Sequence, residues 1–156
     1  MSKSLQLVNG DLFISNRSLQ TIRGKDKLFQ DLSLWLRERI GTDPMTPTYG
    51  STLDGGTIND QDVPSFIGTT LNPFLIGQIQ AEVYGNIIKY QKAQLEKMKS
   101  EASIYQGKNT LDPDEVINTI DSIKTSNVGT SVVVQVTLTT LSNQALNLTL
   151  PLTNPI

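Results

Sequence analysis

The chain contains no cysteine and no histidine among its 156 residues. Without cysteine there is no disulfide and no thiolate nucleophile, and without histidine there is no imidazole base; the side chains that dominate zinc sites are both missing. Much enzymology is thereby excluded, and no metal or cofactor is expected. The lack of thiols fits synthesis in the cytosol but carries no redox preference. Charge is also scarce, with 13 basic and 15 acidic side chains leaving a formal net charge of -2. Such a chain has no general attraction for phosphate backbones or anionic lipid, so neither nucleic acid nor a membrane is expected as a partner. No apolar run approaches the roughly 20 residues of a membrane helix, and the N-terminus MSKSLQLVNG lacks a signal-peptide core.

What is present suits a folded protein. A hydrophobic content of 37% with 18% charged residues argues against disorder, and the length fits a single domain over 1–156. Asn9-Gly10 sits between LQLV and DLFI, a pair that readily takes the positive φ angles of a tight turn, which predicts a β-hairpin. A short extended piece follows from Ser18 to Arg23. Asp26 is placed to cap a helix in which Leu28, Leu32, Trp35, Leu36 and Ile40 share one face. Gly41 suits the left-handed C-terminal cap of that helix, and Pro44 prevents its continuation.

The stretch 42–70 carries Pro44, Pro47, Pro64 and several glycines, which predicts a long loop ordered by a partner. Asn72-Pro73 is a helix start, a capping side chain followed by proline at the first helical position. The second helix is expected over about 73–106, with Ile76, Ile79, Val83, Ile87 and Tyr90 on one stripe and Leu95, Met98 and Ala102 continuing it to a stop at Gly107. Its more polar second half is expected to project from the domain. Gly77 and Gly85 inside it suggest close packing against another backbone.

Thereafter the period falls to two. Glu115 to Lys124 reads as a strand closed by a turn at 126–129. Val132, Val134, Val136 and Leu138 then alternate with polar neighbours, as do Leu146, Leu148, Leu150 and Leu152. The expected fold is α+β: an N-terminal hairpin, two helices with the second long, and a C-terminal antiparallel three-stranded meander. Pro151 lacks a ladder donor, so the last strand belongs at a sheet edge. That edge is either hidden by the chain's own loops or completed by a partner strand, since a bare four-leucine edge invites aggregation.

Asp43, Asp54, Asp60 and Asp62 in the glycine-rich stretch raise the possibility of a carboxylate pair for glycan hydrolysis, though acidic residues among glycines are commonly turn formers. Asp112-Pro113-Asp114-Glu115 lacks the glycine and terminal glutamate of a calcium loop and reads as a strand entry. Trp35 reads as a core anchor by its spacing. Tyr49 reads equally as a lid on the core and as an interface anchor.

Asn9-Gly10-Asp11, Leu32, Leu36, Gly41, Pro47, Tyr49-Gly50 and Leu53 together form a pattern that resembles the contractile-tail baseplate wedge and sheath-initiator family, shared by phages, tailocins and type VI secretion baseplates and historically labelled lysozyme-like. The Glu-Pro-Arg signature common in that family is absent, since the first helix-to-loop junction reads Gly41-Thr42-Asp43-Pro44. The resemblance implies a non-enzymatic virion part, assembled in the host cytoplasm, in a six-fold ring around the tail tube. Its partners would be the tail sheath protein, baseplate wedge proteins, and tube or hub proteins. Docking to sheath would fall on Val132, Val134, Val136, Leu138, Leu146, Leu148, Leu150 and Leu152, and contact with the baseplate on Tyr49, Gly50 and Leu53. On that reading Leu148→Lys leaves the isolated domain folded and stops sheath assembly. A neck or tail-completion adaptor and a small carboxylate-dependent glycan hydrolase are the alternatives.

Overall fold

The computed structural model describes residues 3–66, 72–104, 110–128 and 131–152, with residue 103 described by its backbone alone. The expected helix stop at Gly107, the last part of the 42–70 loop and Gly129 of the expected turn lie outside the described residues. The fold is α+β, with two helices, the second long, and a C-terminal antiparallel sheet of three strands.

The N-terminal hairpin is one arm of three. Strands β1 (Ser4–Leu5), β2 (Leu7–Val8), β3 (Asp11–Leu12), β4 (Ile14–Ser15), β5 (Ser18–Leu19) and β6 (Thr21–Ile22) pair as β2 with β3, β4 with β5 and β1 with β6, all antiparallel. Where the arms meet, a cycle of backbone hydrogen bonds closes: Gln6 N–H donates to Gln20 O at 2.9 Å, Gln20 N–H to Phe13 O at 3.0 Å, and Phe13 N–H to Gln6 O at 2.9 Å. The sequence beneath it repeats every seven residues, with Leu5, Leu12 and Leu19 equivalent and Gln6, Phe13 and Gln20 equivalent. The turns recur too, at Asn9-Gly10 and Asn16-Arg17, all four residues left-handed. The Gln30 side chain ties this module to the first helix, accepting from Leu7 N–H at 2.8 Å and donating to Leu5 O at 2.9 Å.

Helix α1 (Gly24–Arg37) buries Leu28, Leu32, Trp35 and Leu36, the face expected from their spacing. Its ends differ from expectation. Asp26 lies inside the first turn, the flanking residue is Arg23 with no side-chain cap, and the first N–H, that of Gly24, donates to the remote Glu115 Oε1 at 3.2 Å. The helix stops at Arg37, because Arg39–Ile40 leave it as β7 and pair in parallel with β8 (Ser51–Ile58). Ile40 is therefore a buried strand residue, and Gly41 is a close-approach residue rather than a cap.

The expected long loop is in large part a hairpin. β8 pairs antiparallel with β9 (Gln61–Ser65) through Asn59-Asp60, both left-handed as in a two-residue hairpin turn. Glycine misled the reading because here it admits neighbouring backbone: a Cβ on Gly56 (φ +129) would stand 2.3 Å from Ile40 O, and one on Gly50 (φ +102) 2.6 Å from Glu38 O. Gly56→Ala is accordingly expected to cost about 3 kcal/mol, since neither the backbone angle nor the space suits a side chain. The opposite sign is expected for Gly77→Ala, a gain of about 1 kcal/mol, because an added Cβ there meets nothing within 4 Å. Urea unfolding midpoints of the two variants check both. The same openness at Gly85 removes the expectation that these helix glycines admit another backbone of this chain.

Helix α2 (Pro73–Ile104) starts as the Asn-Pro pair predicts, with Leu75 N–H donating to Asn72 Oδ1 at 2.8 Å. Ile79, Val83 and Ile87 face the core. Further along, the inward residues are polar: Gln94 and Glu101 are buried, whereas Leu95, expected on the stripe, is 41% exposed. Gln94 stitches the helix to the sheet, donating to Glu115 O at 2.6 Å and accepting from Ile117 N–H at 3.1 Å. Glu101 holds the chain after α2 by accepting from the Thr110 N–H at 3.0 Å and from its hydroxyl, which together keep its carboxyl below the usual range.

A short 3-10 turn at Pro113–Glu115 precedes β10 (Ile117–Val128), β11 (Ser131–Thr140) and β12 (Ala145–Leu152). β10 thus begins two residues later than expected and runs four further. The sheet order is β10-β11-β12, and Val134, Val136, Leu138, Leu146, Leu148 and Leu150 turn inward onto Leu28, Leu32, Trp35 and Leu36 of α1 and Ile79, Val83 and Ile87 of α2.

Candidate docking edge

The parity of the β11–β12 ladder decides what β12 can offer. Thr140 N–H donates to Gln144 O at 3.0 Å, and the register places Leu138 opposite Leu146, Val136 opposite Leu148 and Val134 opposite Leu150. In an antiparallel ladder bonded pairs alternate with unbonded ones, so these even-numbered β12 residues bond to β11 and the odd-numbered ones turn their N–H and C=O away. Pro151 falls in the outward set, where its missing donor costs the ladder nothing. Ala145, Asn147 and Thr149 therefore carry N–H and C=O groups pointing off the sheet, and among the described strands only β11 pairs with β12.

A groove of about 510 Å³ between α1 and the three-armed module reaches this edge at Thr149. Thr149 forms part of its wall, with Phe29, Ser33 and Arg37 of α1 opposite and Gln6 and Ile22 of the three-armed module beside them. A smaller crevice of about 80 Å³ continues past Pro151 between Leu36, Arg37 and Asp54. The lining mixes apolar groups such as Phe29 and Ile22 with polar ones such as Gln6, Ser33 and Arg37.

The eight residues expected to dock onto sheath are brought together on one face, but that face is the domain's own core. Val134, Val136, Leu138, Leu146, Leu148 and Leu150 are buried against the two helices, and Val132 and Leu152 are half-buried at its border. Their side chains are already packed within the chain, and what the described strands leave unpaired is the outer side of the β12 backbone. Alternation tells which side chains share a face but not which face the helices cover, so the period alone pointed to the wrong half of the strand.

The other three expected contact residues separate. Leu53 is a core residue at 1% exposure and Gly50 is buried against Glu38, so neither offers a surface. Tyr49 stands over Trp35, ring centroids 4.9 Å apart at 78°, and Tyr90 meets the same indole at 5.4 Å and 68°. Tyr49 is a half-open lid on the core; burial first, then the charges of Asp31 and Glu38, push its hydroxyl pKa up. Trp35 is the anchor its spacing predicts, 8% exposed.

The four loop carboxylates do not converge. Asp54 accepts from Ser65 Oγ at 3.0 Å and borders the small crevice, whereas Asp62 lines a separate hollow of about 310 Å³ with Arg39 and Thr42. Asp43 accepts from the Thr46 hydroxyl and the Met45 N–H, which hold its carboxyl below the usual range, opposite to what a protonated acid requires. Among the described residues no group of three or more acidic side chains is placed to hold a metal, and no helix is long and apolar enough to cross a membrane.

No family model matches the chain, and no curated protein matches it. Among solved structures it is similar to a protein from Geobacter sulfurreducens provisionally named a tail lysozyme, with 16% identity and a TM-score of 0.47 over 84% of this chain and 93% of that one.

Proposed function

We propose that the chain is a non-enzymatic structural part of a contractile tail, seated at the baseplate, where the open edge of β12 accepts a strand from the tail sheath protein. The observation that carries this reading is the row of outward N–H and C=O groups at Ala145, Asn147 and Thr149, the last of which also lines a groove walled by α1. The family pattern around Asn9-Gly10-Asp11, Tyr49-Gly50 and Leu53 supports the setting. Recognition is through backbone, as in β-augmentation, and the inward side chains of the incoming strand rest on Phe29, Ser33 and Arg37.

Templating follows from preorganisation. β12 is fixed by β11 and by its buried leucines, so an arriving strand orders only itself, whereas two free strands must both be ordered. Sheath polymerisation then starts where this edge is held. A ring of six copies around the tube, anchored by wedge proteins, would present six such edges. The scattered loop carboxylates give the hydrolase reading no pair across one bond, and a neck or tail-completion adaptor differs in sitting elsewhere on the particle.

Thr149→Pro tests the edge. It removes an outward N–H without touching the β11 ladder, two residues from a proline already tolerated, so the free protein should unfold within about 1 kcal/mol of the parent. Sheathed particles counted by electron microscopy should fall at least about tenfold when this variant replaces the parent. Sheaths of normal number and length on a folded Thr149→Pro variant would remove the edge as template.

A further inference from the structure

Helix α2 carries a second apolar face that the fold leaves open. Phe74, Ala81, Ile88, Leu95 and Ala102 recur every seven residues, and Gly77, Tyr84, Gln91 and Met98 follow the first four of them by three. The spacing is that of a coiled-coil a/d seam over four heptads, about 42 Å of helix, apolar at every a position and interrupted at d by Gly77 and Gln91. The core face, Ile79, Val83 and Ile87, lies on another side of the same helix. Phe74 is 74% exposed, Tyr84 51% and Leu95 41%, and Gln91 marks the border by donating to Ile117 O and Asn118 O. A surface helix normally turns charged residues outward, and one that is apolar on two sides has two neighbours.

We infer that this seam is covered by an amphipathic helix of another protein, apolar at its own seam and carrying carboxylates along its flank. The charge argument comes from the positions next to the seam. On one side, Ile87, Gln94 and Glu101 are buried in this chain's own core. On the other stand Gln78, Gly85, Lys92 and Lys99, so the charges next to the seam on the accessible flank are two exposed lysines, with exposed Glu96 one step further round the helix, and neither lysine is in an ion pair among the described residues. A second copy does not answer them. In an antiparallel pair Lys92 faces Gly85 and Lys99 faces Gln78, and in a parallel pair the flank faces residues already in the core. The glycines agree, since a Cβ on Gly77 or Gly85 meets nothing within 4 Å among the described residues, and Gly77 lies in the seam and Gly85 beside it, where a neighbouring helix would approach.

The probe is a labelled synthetic peptide of about four heptads with leucine at a and d and glutamate at e and g, against the same peptide with lysine at e and g. By fluorescence anisotropy with the full chain, the glutamate peptide should bind at least about tenfold more tightly than the lysine peptide at low salt, and the ratio should shrink near 1 M salt. Lys92→Glu with Lys99→Glu should reverse the preference. Leu95→Asp should weaken binding at least about tenfold while leaving the circular dichroism spectrum unchanged. Thr149→Pro should leave it untouched, which separates this result from the fate of the β12 edge. The inference is overturned if neither peptide binds, if both bind equally, if Leu95→Asp has no effect, or if the chain forms dimers that Leu95→Asp dissolves.

Discussion

Leu148→Lys is expected to destabilise the isolated chain strongly. Leu148 is 1% exposed, opposite Val136 in the middle of the sheet face that packs on both helices. The substitution forfeits the burial of a leucine, worth about 2–3 kcal/mol, and forces an ammonium group into the core or the strand out of it. A total of at least about 4 kcal/mol is expected against the 5–15 kcal/mol that typically holds a domain of this size. Far-ultraviolet circular dichroism at 25 °C and a urea titration measure it, with Thr149→Lys as the control: the same charge one residue on points to solvent and should shift stability by less than about 0.5 kcal/mol. A Leu148→Lys protein within about 1 kcal/mol of the parent would contradict the core placement of β12, and with it the assignment of docking to the backbone edge.

That result reverses what the alternation by itself suggested, and the reason shows where sequence is legible here. Strong periods were read correctly: the three-and-four spacing of Leu28, Leu32, Trp35 and Leu36, the Asn72-Pro73 helix start, and the two-residue alternation of β11 and β12. A period fixes an element and its faces because burial requires one face to be apolar. It does not say what covers that face. The helices that cover the leucines of β12 come from segments tens of residues away, a tertiary fact with no local signature.

Short strands were the second blind spot. Asn9-Gly10 marks one hairpin of the three-armed module, but its two-residue strands are below the length at which alternation can be seen, and the other two arms show in the sequence through the seven-residue recurrence of Leu5, Leu12 and Leu19. Likewise the prolines and glycines of 42–70 predict a loop, whereas Ser51–Ile58 and Gln61–Ser65 are strands joined by the Asn59-Asp60 turn. Of the candidate site, Pro151 correctly marked β12 as an edge strand, since a residue without N–H must face away from its ladder. The groove beside it could not be read, because α1 and the three-armed module meet β12 only in three dimensions.

The cap of α1 was hidden for the same reason, and it yields the second large effect. Glu115, 1% exposed, reaches from the 3-10 turn to the Gly24 N–H at 3.2 Å, and Lys27 Nζ stands 4.0 Å from its other oxygen while bonding Asp31 at 2.5 Å. At 4.0 Å the lysine acts on Glu115 as a neighbouring charge rather than as a hydrogen-bond donor. The buried carboxylate thus depends on Lys27 for its counter-charge. Lys27→Met is expected to cost about 3–5 kcal/mol, because it leaves Glu115 buried with the Gly24 N–H as donor but without the lysine that is its ion-pair partner among the described residues. Glu115→Gln in the parent should cost less, since the amide keeps an acceptor for the Gly24 N–H and removes the charge that needs balancing. The double variant should be more stable than Lys27→Met alone, a non-additivity of about 1–3 kcal/mol in a double-mutant cycle read from urea unfolding. If the two costs simply add, Lys27 and Glu115 are not coupled and the charge account of the α1 start fails. Coupling of the expected sign would make this pair the tie between the N-terminus of α1 and the strand entry at β10, the junction that sets α1 against the edge of β12.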